Sequence, residues 1–169
     1  MTDQYSLVAT ERAARAHIEQ LDPALDYESA QTVASIYRAA NAVRGHATNE
    51  VLRPHDLSWT GFVVLWVVWI WDGLETRHAA DAAAISKGTL TGVVKTLESR
   101  GLMTKQQRQD DRRLVDLRLT PEGIALMNEI YPKFNAIEVK VVAGLSSKRK
   151  QDLTASLRTI VQDIEQQKS

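Results

Sequence analysis

Around Ser86 the chain collects side chains suited to one kind of chemistry. Ser86, Lys87, Gly88, Thr89, Thr91 and Lys95, with Gly92 and Thr96, are small, hydroxylated or cationic, and Leu90, Val93, Val94 and Leu97 are interleaved at helical spacing. On a helix that spacing separates an apolar stripe from a polar face. Ammonium groups neutralise phosphates, threonine hydroxyls bond to base edges or phosphates, and glycines admit close backbone approach, so the face suits a duplex major groove. A polar segment follows at 108–113, where Arg108, Arg112 and Arg113 are placed to enter a minor groove, whose negative potential attracts inserted arginine. The same pattern also fits an amphipathic helix and a solvated hairpin in any α+β domain. Net charge is zero, yet Ser86 to Arg118 holds eight basic residues against four acidic ones, so the remainder is correspondingly acidic. A basic lobe on an acidic body has the charge distribution of a nucleic-acid binder.

Other chemistries find little support. The 169 residues include no Cys, which excludes disulfides, thiolate zinc sites and thiol-based oxidant sensing. The four His are scattered without metal-ligand spacing, and neither a Gly-rich phosphate loop nor a Ser/His/Asp set is present. No metal or cofactor is expected. The apolar run Phe62–Trp71 falls short of the roughly 20 residues that span a bilayer and reads as a buried helix. The first residues, Met1-Thr2-Asp3-Gln4, lack the basic and apolar regions of a signal peptide, so a cytoplasmic location and no membrane partner are expected.

The polar face needs elements to hold it. Val8–Leu21 reads as a helix ended by Asp22-Pro23, and Asp26–Leu52 as a long helix stopped by Pro54. Ser58 caps an apolar helix, Trp59–Trp71, expected to be buried nearly all round and closed by Asp72-Gly73. An Ala-rich helix at Thr76–Ala83 leads through a turn to Ser86, the cap of Lys87–Arg100, which stops at Gly101. Strands follow at Leu102–Gln107 and Leu114–Leu119. Thr120-Pro121 opens a helix with Ile124, Met127, Ile130, Tyr131, Phe134 and Ile137 on one face. Ser146 or Ser147 caps the last helix, whose stripe is Leu153, Leu157, Ile160, Val161 and Ile164. One small lobe can hardly cover that stripe, which predicts a two-fold homodimer. The fold class is mostly α with a small β-hairpin wing: a winged helix-turn-helix at 55–120, between helical dimerisation regions at 1–54 and 121–169.

Several of these segments resemble the MarR (multiple antibiotic resistance regulator) family. They are Leu57-Ser58 with Phe62, Val64 and Leu65; Ile85-Ser86-Lys87-Gly88-Thr89-Leu90-Thr91; Leu97-Glu98 with Gly101-Leu102; Asp111-Arg112-Arg113 followed by Leu119-Thr120-Pro121-Glu122-Gly123; and Gly144-Leu145-Ser146. The similarity runs from about Tyr27 to the C-terminus. It implies a triangular homodimer with interlocked terminal helices, bound to a short palindromic operator of double-stranded DNA and released by a small, often phenolic or aromatic, ligand. It also implies that Asp111 braces the wing while Arg113 reaches the minor groove. Ala79 departs from the family's usual Leu, which suggests loose packing, and Gln106 and Gln107 replace common basic residues, leaving wing charge to Lys105, Arg108, Arg112 and Arg113.

Two features suggest an effector site. Trp59, Phe62, Val63, Trp66 and Ile70 share one helical face, either as plain core or as a ligand wall. Arg44 falls in the apolar stripe of the long helix near Tyr37, where a buried charge needs a partner. A carboxylate of the protein is one solution; an anionic effector, such as an aromatic carboxylate or its thioester, is the other. Three functions compete: a ligand-released repressor, a DNA-binding architectural or protein-controlled regulator without a ligand, and an enzyme, for which no residue set is evident.

Overall fold

The computed structural model describes residues 6–22, 24–108 and 114–167. In chain order the elements are α1 (Leu7–Leu21), α2 (Tyr27–Ala47), a π-helical turn (Thr48–Leu52) and a 3-10 turn (Arg53–His55). Next come α3 (Trp59–Ile70), β1 (Leu74–Glu75), α4 (Thr76–Ala82), α5 (Lys87–Ser99), β2 (Met103–Gln107) and β3 (Val115–Leu119). The last two helices are α6 (Pro121–Val141) and α7 (Ser147–Gln166). Mostly helical, with one small sheet, the chain has the fold class expected of it. Among the described residues no helix is long and apolar enough to cross a membrane.

Two compact units divide at His46–Ala47. In the N-terminal unit, α1 and α2 are joined by the Tyr27 hydroxyl, which donates to the Glu11 carbonyl (2.9 Å), and by Arg38 on the Glu11 carboxylate (3.1 Å). The expected uninterrupted α-helix to Leu52 is corrected to an α-helix ending at Ala47 and a wider π turn, which brings the consecutive residues Val51 and Leu52 into the core.

The second unit is built on α3. Ser58 caps it by accepting the Gly61 N–H (3.0 Å), and Phe62, Val64, Leu65, Val67 and Val68 are buried. Its C-terminal end departs from the expected burial: Ile70 is exposed, and Trp71 is 64% exposed. β1 is an element that local pattern does not announce. It adds a third, antiparallel strand in the order β1-β3-β2, pairing Leu74 with Leu117 and Glu75 with Asp116, while Met103 of β2 pairs with Leu119. Leu117, in the central strand, is fully buried.

Ala79 and Ala80 of α4 are almost completely buried, so the small side chain permits close packing rather than the expected looseness. On α6, Met127, Ile130, Phe134 and Ile137 form the inner face, but Ile124, in the first turn, is exposed and does not join it. The start of α6 is set by Thr120, which accepts the Gly123 N–H (3.0 Å) and donates to the Gly101 carbonyl (2.6 Å). A Cβ at Gly123 would overlap the Leu102 carbonyl, so glycine is required there. α7 is capped by Ser146 and buries no residue against its own chain.

Candidate nucleic-acid interface and aromatic cavity

The turn between α4 and α5 aims the polar face outward. Ala84 adopts the left-handed conformation (φ 52°), and the Ile85 N–H reaches back to the Ala80 carbonyl (3.0 Å). Holding a non-glycine residue there costs about 1 kcal/mol, which the buried alanines and the cap of the next helix offset. Ser86 supplies that cap, accepting the Thr89 N–H (3.0 Å) and bonding to the Thr89 hydroxyl (2.8 Å). Leu90, Val94 and Leu97 are buried behind it, which leaves Ser86, Lys87, Gly88, Thr89, Thr91, Gly92, Lys95 and Thr96 exposed.

Within this face the hydroxyls of Thr91 and Thr96 donate to the carbonyls of Lys87 (2.9 Å) and Gly92 (3.2 Å), so their remaining lone pairs point outward as acceptors. Lys87 and Lys95 have no ion-pair partner among the described residues. A Cβ built at Gly92 meets nothing within 4 Å, so its own chain does not explain a glycine in mid-helix.

The charge of the lobe is not all available to a partner. Lys105 pairs with Glu98 (2.7 Å). Arg100 turns back to donate to the carbonyls of His55 (2.8 Å) and Asp56 (2.7 Å), and Arg118 donates to the Asp72 carbonyl (2.9 Å) beside Gly73. These two guanidiniums pin the loops that flank α3, a structural use that a count of charges misses. At the hairpin base the Arg108 N–H donates to the Leu114 carbonyl (3.1 Å). Asp111, Arg112 and Arg113 lie outside the described residues.

A second feature lies between α3 and α6. Trp59, Phe62, Val63, Trp66, Tyr131, Phe134 and Glu138 line a cavity of about 180 Å³. Phe62 stacks on Phe134 (centroids 4.4 Å, 27°), and Trp59 lies tilted against both at 6.2 and 6.0 Å. Trp59, Phe62 and Trp66 of the expected effector set therefore meet, joined by residues of α6 absent from that set. Tyr131 and Phe134 belong to the recognised apolar face of α6, and Glu138 is one helical turn beyond Phe134.

Tyr37 and Arg44 are not among the residues lining the cavity. Both belong to α2 in the N-terminal unit; Tyr37 is 67% exposed, and Arg44, also exposed, donates to Asn41 Oδ1 (2.8 Å). The expectation of an inward-facing Arg44 in need of a counter-charge is corrected, because the stripe it shares with Val33 and Tyr37 is itself open to solvent.

Comparison with known proteins agrees with this architecture. The MarR family model matches residues 57–115, which run from the cap of α3 to the start of β3. The uncharacterized HTH-type transcriptional regulator YwaE of Bacillus subtilis is 35% identical over 83% of this chain and 82% of its own. Among solved structures, BpsR of Bordetella bronchiseptica superposes with TM-score 0.70 at 26% identity, covering 78% of this chain and 98% of that one. The MarR family regulator NMB1585 of Neisseria meningitidis superposes with TM-score 0.68 at 26% identity, covering 83% and 95%. Fold, exposed helix face and sequence similarity together place the chain in the MarR family, whose members are DNA-binding transcriptional regulators and not enzymes.

Proposed function

We propose that the chain acts in the cytoplasm as a homodimeric repressor, released from a palindromic operator by a small aromatic effector in the cavity between α3 and α6. α5 enters the major groove with Lys87, Thr91 and Lys95 foremost, supported by Ser86, Gly88 and Thr89. Arg108, Arg112 and Arg113 carry the wing into the minor groove, with Asp111 bracing it. Residues 55–120 serve as the DNA-binding lobe, and 1–54 and 121–169 as the dimerisation region.

The observation that carries the ligand response is the aromatic cavity, which belongs to the same compact unit as the exposed face of α5. BpsR, whose DNA binding is regulated by 6-hydroxynicotinic acid, offers a parallel for an aromatic effector. The cavity supports the aromatic part of the expected ligand. The anionic part rested on a buried Arg44, and the exposed position of that residue withdraws its support.

The test is to recover genomic fragments on the purified protein, identify the palindrome, and titrate the complex with monocyclic aromatic compounds in a gel shift. Release should accompany quenching of Trp fluorescence, because a ligand shifts a conformational equilibrium only through differential affinity for its states. Operator binding unaffected by every compound that quenches would favour a regulator controlled by a protein partner.

A further inference from the structure

We propose that the cavity between α3 and α6 selects a small organic cation, with Glu138 as its counter-charge; the inference rests on reading this cavity as the effector site. Glu138 is the charged side chain among the seven lining residues, and it is half-buried. Its Oε2 accepts from the neutral Asn135 Nδ2 (2.9 Å), and no cationic side chain pairs with it among the described residues. The nearby Lys133 is engaged by Glu129 at 2.8 Å. A carboxylate on the cavity wall with no cationic partner attracts a bound cation and repels a bound anion.

The walls reinforce that preference. Five aromatic side chains line the cavity; Phe62 and Phe134 are stacked on each other, which leaves Trp59, Trp66 and Tyr131 as the rings able to offer a negative face to an ammonium group. The volume sets the size. About 180 Å³ is close to a cavity known to take a benzene ring, so it admits one ring or one trimethylammonium group. Aromatic walls, a single carboxylate and this volume together describe a site for a monocyclic or quaternary-ammonium cation rather than an aromatic acid.

The experiment uses the full chain and three single-ring probes of similar size: benzylammonium, phenylacetate and benzyl alcohol. Trp fluorescence titration reads binding, and a gel shift on the recovered operator reads release. Benzylammonium is expected to bind at least about tenfold more tightly than phenylacetate, with Glu138→Gln abolishing that preference and leaving benzyl alcohol affinity within about twofold. Phenylacetate binding as tightly as the cation, or a preference that survives Glu138→Gln, overturns the proposal. If phenylacetate or benzyl alcohol binds best and releases the operator, the effector site stands and its cationic selectivity falls. If none of the three binds, both readings fall. A Glu138-dependent cation preference without operator release supports the site's selectivity and removes its role as effector site.

Discussion

α5 and α7 carry the same kind of apolar stripe and meet opposite fates. Leu90, Val94 and Leu97 of α5 disappear into the chain's own core, whereas on α7 Leu157 remains 37% and Val161 54% exposed, with Leu153 and Ile164 exposed alongside them. Periodicity reveals that a helix has an apolar face; it does not reveal what covers that face. The polar side of α5 is its exposed side, so its hydroxyl and ammonium groups are open to a partner. On α7 the apolar side is exposed, and contiguous exposed apolar surface on a helix marks an interaction with another surface.

Introducing a charge on the open stripe should have the largest effect. Leu157→Asp should weaken association by about 3–6 kcal/mol, because two-fold symmetry sets two unpaired carboxylates against the apolar stripe at once. Light scattering at micromolar concentration should then report a monomer that retains its helical circular dichroism; an unchanged dimer would show that α7 contributes little to the interface. Leu97→Ala attacks the covered stripe and should cost about 2–5 kcal/mol in denaturant unfolding, since the cavity cannot close fully. A dimer that dissociates without loss of fold in this variant would contradict the division between the two helices.

Gly92→Ala separates fold from recognition on α5 itself. The added methyl meets nothing in the chain, so stability should rise by up to about 1 kcal/mol while operator affinity falls, because the glycine keeps the helix backbone close to its partner. A more stable variant with undiminished affinity would remove close approach as the reason for that glycine.

The smallest effect is expected on the solvent side of α6, where Lys133 hydrogen-bonds to the Glu129 carboxylate and, with a weaker contribution from His55, holds its pKa below the ordinary value. A lowered carboxylate pKa stabilises the fold above the unfolded value and loses that contribution as pH falls through the folded one. Glu129→Gln should therefore lower the melting temperature slightly at neutral pH and leave it unchanged in acid below that value.

The helix starts were legible because their chemistry is local. Ser58, Ser86, Thr120 and Ser146 each precede an apolar-periodic run, and each accepts an N–H from three residues on. β1 was not legible, because two residues become a strand only when β3 supplies their partners from about forty positions away. Glu138 escaped notice for a related reason: its spacing assigns it a direction on α6, and only the packing of α3 turns that direction into a cavity wall. Arg44 failed in the opposite sense. Its stripe was read correctly as apolar, and the inference from apolar to buried did not hold for a helix whose Val33 and Tyr37 are themselves exposed. Likewise, Arg100 and Arg118 look like binding charges in a tally and prove to be loop anchors, since a sum over residue types says nothing about which acceptor each side chain reaches.

Gly123 makes the joint between the hairpin and α6 a close approach of backbone to backbone, with the Thr120 side chain bridging the two. In mechanical terms it is a close-fitting joint: the first turn of α6 rests directly on the Leu102 carbonyl, one residue before β2 begins. Tyr131, Phe134 and Glu138 stand on that helix, two to four turns along it. Pro132 removes one backbone hydrogen bond of α6 between Gly123 and Phe134, so the helix is not one uniform rod, and what seats its first turn against the hairpin is the absence of a single methyl group.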